Sequence, residues 1–490
     1  MKTITHKLKS GVFLLAMTIY TIESFAQMAV GTNFWVTGWG TGQKEYFKTG
    51  QNWATIGSGT NWKTANPWRD DFIAEISMYN TFRFMDWQRT VGATDVNWSD
   101  RVKPTTDHFN NGGKVALEWC VNLANRLNKN VWFCVPHAAS DDYIKQMAIF
   151  LRDNLEVDRK IYIEYSNETW NEVDVFTQSD WCIQKGEAGN YPGINKWYKG
   201  EAYSMHRSLQ VFGIFEGVFG SANMGRWNRV RRVVGAGANL DFNKQALKNV
   251  YKSTKYNPNN RIIDFLAIAP YGGASGADGA ASDVATKFRA HVDKTYNERI
   301  VPLNQTRIDN GIAALTTYEV GQHITINADK WSANPKIYDE YRYMMSKYKP
   351  MFNLFIMHYV HVGAWNSGNA WGAKKYTGQP LTEAHKYRAL KDWQAANPAR
   401  EEAEEENTST IVVDSDVMIY PNPSSGIVNI NVSGGDVKVN VYNSMGTLVA
   451  STYTIEGLAV MNLLNSGAGM YIIELSTEAG DILRKKIAIE

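Results

Sequence analysis

The sequence predicts an α/β protein in which a barrel of eight parallel strands is followed by a small all-β sandwich domain. Three observations lead to this prediction. Short apolar runs alternate with segments whose apolar residues recur at spacings of three and four, as in amphipathic helices. An acidic stretch without aromatic residues then interrupts the alternation. The last part of the chain shows the period-two pattern and frequent turn residues of antiparallel strands.

Eight short apolar runs are the predicted strands of the barrel. Their near-continuous hydrophobicity is typical of parallel strands that are buried on both faces, and helix-like segments such as DDFIAEISMY and DDYIKQMAIFLRDNL lie between many of them. The runs are NFWVTGW (33–39), TFRFMDW (81–87), VWFCVPH (131–137), IYIEYSNE (161–168), GIFEGVFG (213–220), IIDFLAIAPY (262–271), IAALTTYE (312–319) and FNLFIMHYVHVGAW (352–365).

Repeated alternation of this kind over about 370 residues favours a closed (β/α)8 TIM barrel with insertions over an open sheet. A doubly wound sheet is the alternative, but this sequence lacks a glycine-rich phosphate loop after its first strand. We therefore predict that the barrel domain spans residues 27–396.

The first 26 residues have the pattern of a secretory signal peptide. Lys2, Lys7 and Lys9 form the basic region, the run GVFLLAMTIYTI is apolar, and SFA at residues 24–26 is a small-x-small cleavage site. The apolar run is too short to span a bilayer, and no later run of about 18 apolar residues follows. We therefore expect an exported protein without a transmembrane segment.

Composition narrows the classes of partner. The formal net charge of +2 predicts no attraction to nucleic acid or to anionic membranes. Aromatic residues make up 12% of the chain, with 17 Trp and 25 Tyr, which fits either a large core or flat faces that line a sugar-binding groove. The three cysteines are too few for a disulfide framework. We expect three buried thiols, with one disulfide and a leftover thiol as the alternative.

The C-terminal part of the chain follows an acidic linker predicted at residues 397–417. From Met418 to Glu490, short alternating runs are separated by Ser-Gly, Gly-Gly, Asn-Ser and Ala-Gly turns, which predicts a small antiparallel sandwich. The motifs YPNP (420–423), VYNSMGTLV and SGAGMYIIEL, with a basic last strand, resemble the C-terminal sorting domain of the Bacteroidetes type IX secretion system. The resemblance implies that the secretion machinery is a partner and that the protein is secreted or held at the cell surface. A generic all-β accessory module is the alternative.

Polar and aromatic side chains accumulate where the predicted strands end. The carboxyl ends of parallel strands meet at one rim of a barrel, and catalytic residues sit at this rim. Packing alone does not explain the accumulation, because a core disfavours carboxylates that lack partners. The residues are Arg83 and Asp86 (second strand), His137 (third), Asn167 and Glu168 (fourth), Tyr271 (sixth), Glu319 (seventh) and Trp365 (eighth).

Glu168 and Glu319 are candidates for the two carboxyl groups that glycoside hydrolysis requires. One group must be protonated to help the leaving oxygen depart, and the other must be ionised to attack the anomeric carbon or to activate a water. Like charges a few ångströms apart raise the pKa of one group, while a nearby cation lowers the pKa of the other. Arg83 is the candidate cation and is also a candidate substrate-binding residue. Glu164 lies deeper in its strand, and we expect it to be a buried partner of Arg83 or of another cation.

The segment EYSNE, in which Asn167 precedes Glu168, resembles the fourth-strand signature of clan A glycoside hydrolases, including family 5. TTYEVGQ presents Glu319 where that clan has its nucleophile, at the end of the seventh strand. The resemblance implies that Glu168 is the acid/base and Glu319 the nucleophile of a retaining double displacement. It also implies that Asn167 binds the sugar 2-hydroxyl, that Tyr271 can donate to the nucleophile, and that Trp365 forms the floor beneath the reactive sugar.

Several of these candidates have structural alternatives. His137 either contacts a sugar hydroxyl or is a structural histidine, and Tyr271 and Trp365 carry a similar ambiguity. Trp170, in the long aromatic-rich segment after the fourth strand, is either a sugar platform or part of the core. The arginines of NMGRWNRVRRVV (223–234) form either a solvated helix face or a site for acidic sugars.

The sequence therefore predicts a secreted retaining glycoside hydrolase that is endo-acting on a polysaccharide such as a β-glucan. Endo action rests on the many loop aromatics, which favour an open groove with several subsites. An exo-acting glycosidase of the same clan and a non-catalytic surface glycan-binding protein on the same barrel are the alternatives. The sequence has no convincing metal motif, and a retaining mechanism needs none, so we expect no cofactor.

Overall fold

The computed structural model describes residues 28–35, 42–107, 114–237, 239–352, 354–397, 417–432, 437–444, 446–454, 457–476 and 482–490. The predicted signal peptide lies outside these ranges, as does the predicted linker apart from its two end residues. Within the described ranges, no helix combines the length and the apolar character that crossing a bilayer requires.

Eight parallel strands form one sheet at the centre of the large domain. The strands are β1 Ala29–Asn33, β2 Thr81–Arg83, β3 Asn130–Val135, β4 Ile161–Tyr165, β5 Val230–Gly235, β6 Phe265–Ile268, β7 Ala314–Thr317 and β8 Phe355–His358. Their order in the sheet is β7-β6-β5-β4-β3-β2-β1-β8, so each strand lies beside its neighbour in the sequence and β1 pairs with β8. This order is that of a (β/α)8 barrel, and the predicted fold class is confirmed.

Helices surround the strands and connect most of them. The α-helices of the described residues are α1 Trp53–Ile56, α2 Asp70–Ile76, α3 Leu117–Leu127, α4 Asp141–Asn154, α5 Thr177–Ala188, α6 Lys196–Phe219, α7 Leu240–Ala246, α8 Val284–Thr295, α9 Val301–Asp309, α10 Ala328–Ala333, α11 Ile337–Tyr348 and α12 His385–Ala396.

The side chains that point into the barrel form an apolar cluster of their own, separate from the larger core between strands and helices. Tyr162 lies at its centre, with its ring centroid 5.8 Å from Trp132, 5.5 Å from Phe265 and 4.9 Å from Phe355. The lower part of the barrel is thus packed with aromatic side chains. Much of the aromatic content therefore belongs to the core, as one of the two interpretations of the composition predicted.

Two of the eight predicted strands are wrong. The run 213–220 is the end of α6, where the buried Phe212, Phe215 and Phe219 recur at helical spacings of three and four. The fifth strand is β5, whose apolar pattern is interrupted by two arginines. The first strand is β1, which ends where the predicted run 33–39 begins.

The arginines of β5 are part of the barrel and do not form a solvated face or a sugar site. Arg232 is buried and makes two hydrogen bonds to Asp264, at 2.8 and 2.9 Å. Arg231 is also buried, and its guanidinium donates to the hydroxyl of Tyr162. Buried charges are stable only when such partners satisfy them, and these partners lie far away in the sequence.

The C-terminal residues form two antiparallel sheets. The strands are β9 Val417–Tyr420, β10 Ile427–Val432, β11 Lys438–Asn443, β12 Leu448–Tyr453, β13 Leu458–Asn462, β14 Gly469–Ser476 and β15 Ile482–Ile489. One sheet has the order β13-β10-β9 and the other β12-β11-β14-β15. Alternate residues of both sheets, among them Ile430, Val441 and Ile473, share one buried cluster, which makes the domain the predicted sandwich.

Threonine side chains complete the closure between β7 and β8. The hydroxyl of Thr316 donates to the carbonyl of Phe355 at 3.1 Å, and the hydroxyl of Thr317 accepts from the backbone N–H of Met357 at 2.8 Å. All four residues are buried. Here hydroxyl groups take over hydrogen bonds that a backbone ladder makes between the other strands.

Replacing Thr317 by valine tests this closure. Valine keeps the shape but removes the hydroxyl, so the buried N–H of Met357 loses its acceptor, which costs about 1–3 kcal/mol. We expect urea unfolding to show this loss. Thr317→Ser keeps the hydroxyl and loses one methyl group, so its free energy of unfolding should stay within about 1 kcal/mol of the wild type. Equal stability of the valine variant and the wild type would contradict the role of the hydroxyl.

Candidate active site

Glu168 lies three residues beyond the end of β4, on a backbone that leaves the extended conformation. Ser166 has φ 59° and Glu168 has φ 46°, a left-handed region that non-glycine residues rarely adopt. The partly buried carboxylate of Glu168 accepts a hydrogen bond from the hydroxyl of Tyr318 at 2.8 Å and one from Nδ2 of Asn171 at 2.9 Å. The strained turn therefore presents a carboxylate that is fixed by two donors and still reaches solvent.

Glu319 follows β7 and is more deeply buried, with 7% of its surface exposed. Its carboxylate accepts from the hydroxyl of Tyr271 at 2.7 Å and lies 3.5 Å from Nη1 of Arg83. Burial raises the pKa of Glu319 well above its ordinary value, and the charge of Glu168 raises it further. Arg83 and the hydroxyl of Tyr271 oppose this rise. Because Tyr318 precedes Glu319 in the chain and binds Glu168, the two carboxyl groups belong to one site.

Arg83, at the end of β2, contacts both the segment beyond β4 and the segment beyond β7. Its guanidinium is fully buried and donates to Oε2 of Glu164 at 2.9 Å, to Oδ1 of Asn167 at 2.8 Å and to Oδ1 of Asn33 at 3.1 Å. The predicted pairing of Glu164 with Arg83 is confirmed. The prediction that Arg83 binds substrate needs a correction, because the guanidinium is enclosed by protein groups and is not open to a sugar.

The carboxylate inside the apolar run of β4, Glu164, has several hydrogen-bond donors in the barrel interior. Besides Arg83, its Oε2 accepts from Nε1 of Trp132 at 3.0 Å and from the thiol of Cys134 at 3.2 Å. The thiol of Cys134 is one of three buried free thiols, as the sequence predicted. Glu164 is thus a satisfied structural group of the barrel interior.

Asn167 is held from both ends. Its side-chain oxygen accepts from Arg83, which leaves the amide N–H groups as its donor side. Its backbone carbonyl accepts from Nε2 of Gln178 on α5 at 2.7 Å. The predicted residue Asn167 is therefore rigidly placed beside Glu168.

A wall of aromatic rings, Trp35, Tyr271, His323, Tyr359 and Trp371, borders Glu319. Ring centroids are 5.1 Å apart for Tyr271 and His323, 6.1 Å for His323 and Trp371, and 6.0 Å for Trp371 and Tyr359. Trp35 lies 5.8 Å from Trp371 and is, like it, only partly buried. This wall offers two indole faces close to the carboxylates.

A third carboxyl group, Asp86, lies at the same rim. Burial raises its pKa to about 7, and a hydrogen bond from the hydroxyl of Tyr359 opposes this rise. Asp86 also contributes to the raised pKa of Glu319. Sequence reasoning placed Asp86 at a strand end but missed Tyr318, Tyr359 and Trp371. The two tyrosines directly follow β7 and β8, a signal that was available in the sequence.

The structure corrects the predicted position of Trp365. Its indole packs against Ala328 and Ala370, donates to the carbonyl of Gly372 at 2.9 Å and lies 4.8 Å from the ammonium group of Lys386. These contacts make Trp365 part of a small core outside the aromatic wall. Trp371, from the same loop, belongs to the aromatic wall and contacts His323 and Tyr359.

His137 and Trp170 lie on either side of the Glu168 segment. His137 is buried against the edge of Trp181, 5.5 Å between centroids, and burial lowers the pKa of its imidazole. Its Nδ1 has no hydrogen-bond partner among the described residues, and its contact with a sugar hydroxyl stays a prediction. Trp170 is partly buried and lies 6.3 Å from the ring of Tyr318, which places it next to Glu168. Among the residues that the structure describes, no group of three or more His, Cys, Asp or Glu side chains is arranged to hold a metal ion.

Comparison with known proteins identifies the C-terminal domain. Residues 418–490 match the family described as the secretion system C-terminal sorting domain. The chain therefore carries a sorting domain of the type IX secretion system, which directs export to the cell surface or the medium, as predicted. No curated protein matches the chain in sequence.

Solved structures similar to the chain include the Cellulomonas fimi endo-β-1,4-mannanase double mutant and the Thermotoga maritima β-glucosidase in complex with noeuromycin. The mannanase is 11% identical, with a TM-score of 0.40 over 95% of this chain and 94% of that chain. The glucosidase is 11% identical, with a TM-score of 0.41 over 76% of this chain and 99% of that chain. At these values the similarity does not indicate a function for this chain.

Replacing Arg83 by methionine tests its place in the site. The substitution leaves Glu164 buried without a cation, and breaking a buried pair in this way costs about 3–5 kcal/mol. Chemical denaturation should show this loss. Because a buried pair can be replaced by apolar groups at little cost, Arg83→Met combined with Glu164→Leu should recover at least about 1 kcal/mol. Additive losses in the double variant would contradict the coupling.

Proposed function

We propose that the protein is a retaining glycoside hydrolase in which Glu168 is the general acid/base and Glu319 the nucleophile. The observation that supports this most strongly is the pair of carboxyl groups beyond β4 and β7, in which Glu168 accepts from the hydroxyl of Tyr318, the residue directly before Glu319. Their surroundings differ in the way the chemistry requires. Glu168 is partly open, whereas Glu319 is buried beside Arg83.

One proton shared by the pair suits this reaction. After burial, the charge of Glu168 is the largest cause of the raised pKa of Glu319, so the two groups disfavour being ionised together. The proposed reaction needs the proton on Glu168, where it removes this repulsion. Arg83 and the hydroxyl of Tyr271 then stabilise the remaining charge on Glu319. The pair is left with an acid on its open side and an ionised nucleophile on its buried side.

The two steps follow from this arrangement. Glu319 attacks the anomeric carbon while Glu168 gives its proton to the leaving oxygen. Glu168, now ionised, takes a proton from a water molecule. The oxygen of this water attacks the anomeric carbon, and the bond between the sugar and Glu319 breaks. Asn167, with its oxygen held by Arg83, directs its amide N–H groups to the sugar 2-hydroxyl, a contact that strengthens in the transition state.

The aromatic wall supports a polysaccharide or oligosaccharide as the substrate. The partly buried indoles of Trp35 and Trp371 present flat faces on which pyranose rings stack. A neutral glycan such as a β-glucan, cleaved internally, is the substrate class we propose. An acidic glycan gains no support from Arg231 and Arg232, because both are buried and bound to protein partners.

Glu168→Gln and Glu319→Gln test the two catalytic roles. Each keeps the size of the side chain but removes the titrating oxygen, so we expect kcat on a polysaccharide panel to fall at least about 10³-fold, with glycan binding retained. Release of reducing sugar measures kcat, and affinity electrophoresis measures binding. The exposed Glu156→Gln is the matched control and should behave as the wild type.

Intact activity in either active-site variant would remove that residue from its role. Glycan binding without hydrolysis by the wild type would favour the non-catalytic alternative. Proton NMR of the first product tests retention, since its anomeric configuration must equal that of the substrate. A rapid fall in viscosity relative to reducing ends indicates endo action, and a slow one indicates an exo-acting enzyme.

Trp371→Ala and Trp365→Ala separate a sugar platform from a core residue. Loss of a stacking face should raise KM of the Trp371 variant about 3–10-fold with a small change in stability. Trp365 is buried, so its truncation should cost about 3–5 kcal/mol of unfolding free energy and leave KM of the folded enzyme unchanged. The reverse result would return the platform role to Trp365.

A further inference from the structure

A small polar cavity lies behind Glu168, between the segment that follows β4 and the helices α6 and α7. Its volume is about 20 Å³, which is room for one internal water molecule. Its polar lining includes Glu164 from β4, Glu168 and Thr169 from the segment, Glu201, Ser204 and Ser208 from α6, and Asn243 from α7. The cavity therefore shares a wall with the proposed acid/base.

Glu201 is a buried carboxyl group with one unsatisfied oxygen. The residue is 7% exposed, and Oε1 accepts from the hydroxyl of Thr169 at 3.4 Å. Within the described part of the chain, Oε2 of Glu201 and Oδ1 of Asn243 have no hydrogen-bond partner, although both residues line the cavity. Unsatisfied acceptors in a buried site are costly, and protonation of Glu201 turns one of them into a donor.

Thr169 links Glu201 to the segment that carries the acid/base. The left-handed Ser166 and Glu168 cost about 1–3 kcal/mol each, so surrounding groups must hold this segment in place. The hydroxyl of Thr169, the residue directly after Glu168, lies 2.9 Å from the hydroxyl of Ser204 and 3.4 Å from Glu201. Side chains of α6 thus grip the strained segment next to Glu168.

We propose that Glu201 is a positioning residue for Glu168: the carboxyl group of Glu201 accepts from the hydroxyl of Thr169 and, with Ser204, keeps the strained segment in its working geometry. This inference rests on the function proposed for Glu168. Ionisation of Glu201 places a charge in the cavity, and no cation within the described ranges forms an ion pair with it, so the buried surroundings of the segment become less stable.

The pH range of this effect follows from the surroundings of Glu201. Burial raises the pKa of Glu201 from 4.5 to about 7, opposed by the hydrogen bond from Thr169. The titratable groups around it are Glu164, Tyr165 and Glu168, which line the cavity, and the thiol of Cys182 on α5, and none of them is a cation. Stabilisation by protonated Glu201 is therefore complete below pH 4.5 and is lost as the pH rises through about 7.

Glu201→Gln tests the titration without any need for activity. Glutamine keeps the size and a neutral donor at every pH. Between pH 5 and pH 8.5 the melting temperature of the wild type should therefore fall by about 2–4 °C relative to that of the variant. Glu187→Gln, on the exposed surface of α5, is the matched control and should show no such divergence. Parallel melting curves for the wild type and Glu201→Gln would overturn the titration of Glu201.

Kinetics on the polysaccharide substrate test the positioning. At pH 6, Glu201→Ala and Thr169→Val should each lower kcat about 10-fold while KM stays within about 2-fold, because the substitutions displace Glu168 and leave the sugar contacts intact. Glu201→Gln should restore kcat to within about 3-fold of the wild type and remove the part of its decline above pH 7 that Glu201 causes.

An active wild type with unaffected kcat in Thr169→Val and Glu201→Ala would overturn the role of Glu201 alone. Thr169→Val keeps a β-branched side chain and decides the question even if the alanine variant does not fold. Absence of hydrolysis by the wild type itself would overturn the proposed function, and with it the role of Glu201 toward Glu168.

Discussion

The buried guanidinium of Arg83 is the group on which the rest of the site depends. A cation inside a barrel is unstable unless carboxylates and amides satisfy it. Here Glu164 and Glu319 supply the charge, and Asn33 and Asn167 supply the oxygens. These partners come from β1, β4 and the segments beyond β4 and β7. Arg83 on β2 is therefore satisfied only when strands on both sides have closed with the right register, so barrel closure and site assembly are one physical requirement.

The same constraint accounts for the unusual backbone beyond β4. Successive residues of a strand point to opposite faces, so a regular strand could not direct both Asn167 and Glu168 to the rim. The left-handed conformations of Ser166 and Glu168 break this alternation. Asn167 then reaches Arg83, and Glu168 reaches Tyr318. The strain is the local consequence of bringing two neighbouring side chains into one site.

The sequence was sufficient to predict which polar residues at the strand ends lie close together. Asn167, Glu168, Tyr271 and Glu319 were found because polar groups directly follow apolar runs, and a barrel brings such strand ends together. The prediction failed where contacts between residues distant in the sequence determine whether a segment is buried. The arginines of β5 broke the apolar run that would have marked the strand, and only Asp264 and Tyr162, both distant in sequence, make their burial stable.

Two further features, strand β1 and the position of Trp371, could not be predicted from the sequence because they depend on a glycine and on the path of a loop. Gly31 leaves β1 without a conspicuous apolar run, yet a Cβ there would lie 2.8 Å from the backbone carbonyl oxygen of Thr81, so the close approach of β1 and β2 requires glycine. The choice between Trp365 and Trp371 depends on the path of one loop, which residue spacing does not encode. The long connection between β4 and β5 supports the strained segment in a similar way. Its α5 binds the carbonyl of Asn167 through Gln178, and its α6 holds Thr169. Several such contacts are needed to offset two left-handed residues, which gives this connection a structural reason for its two helices.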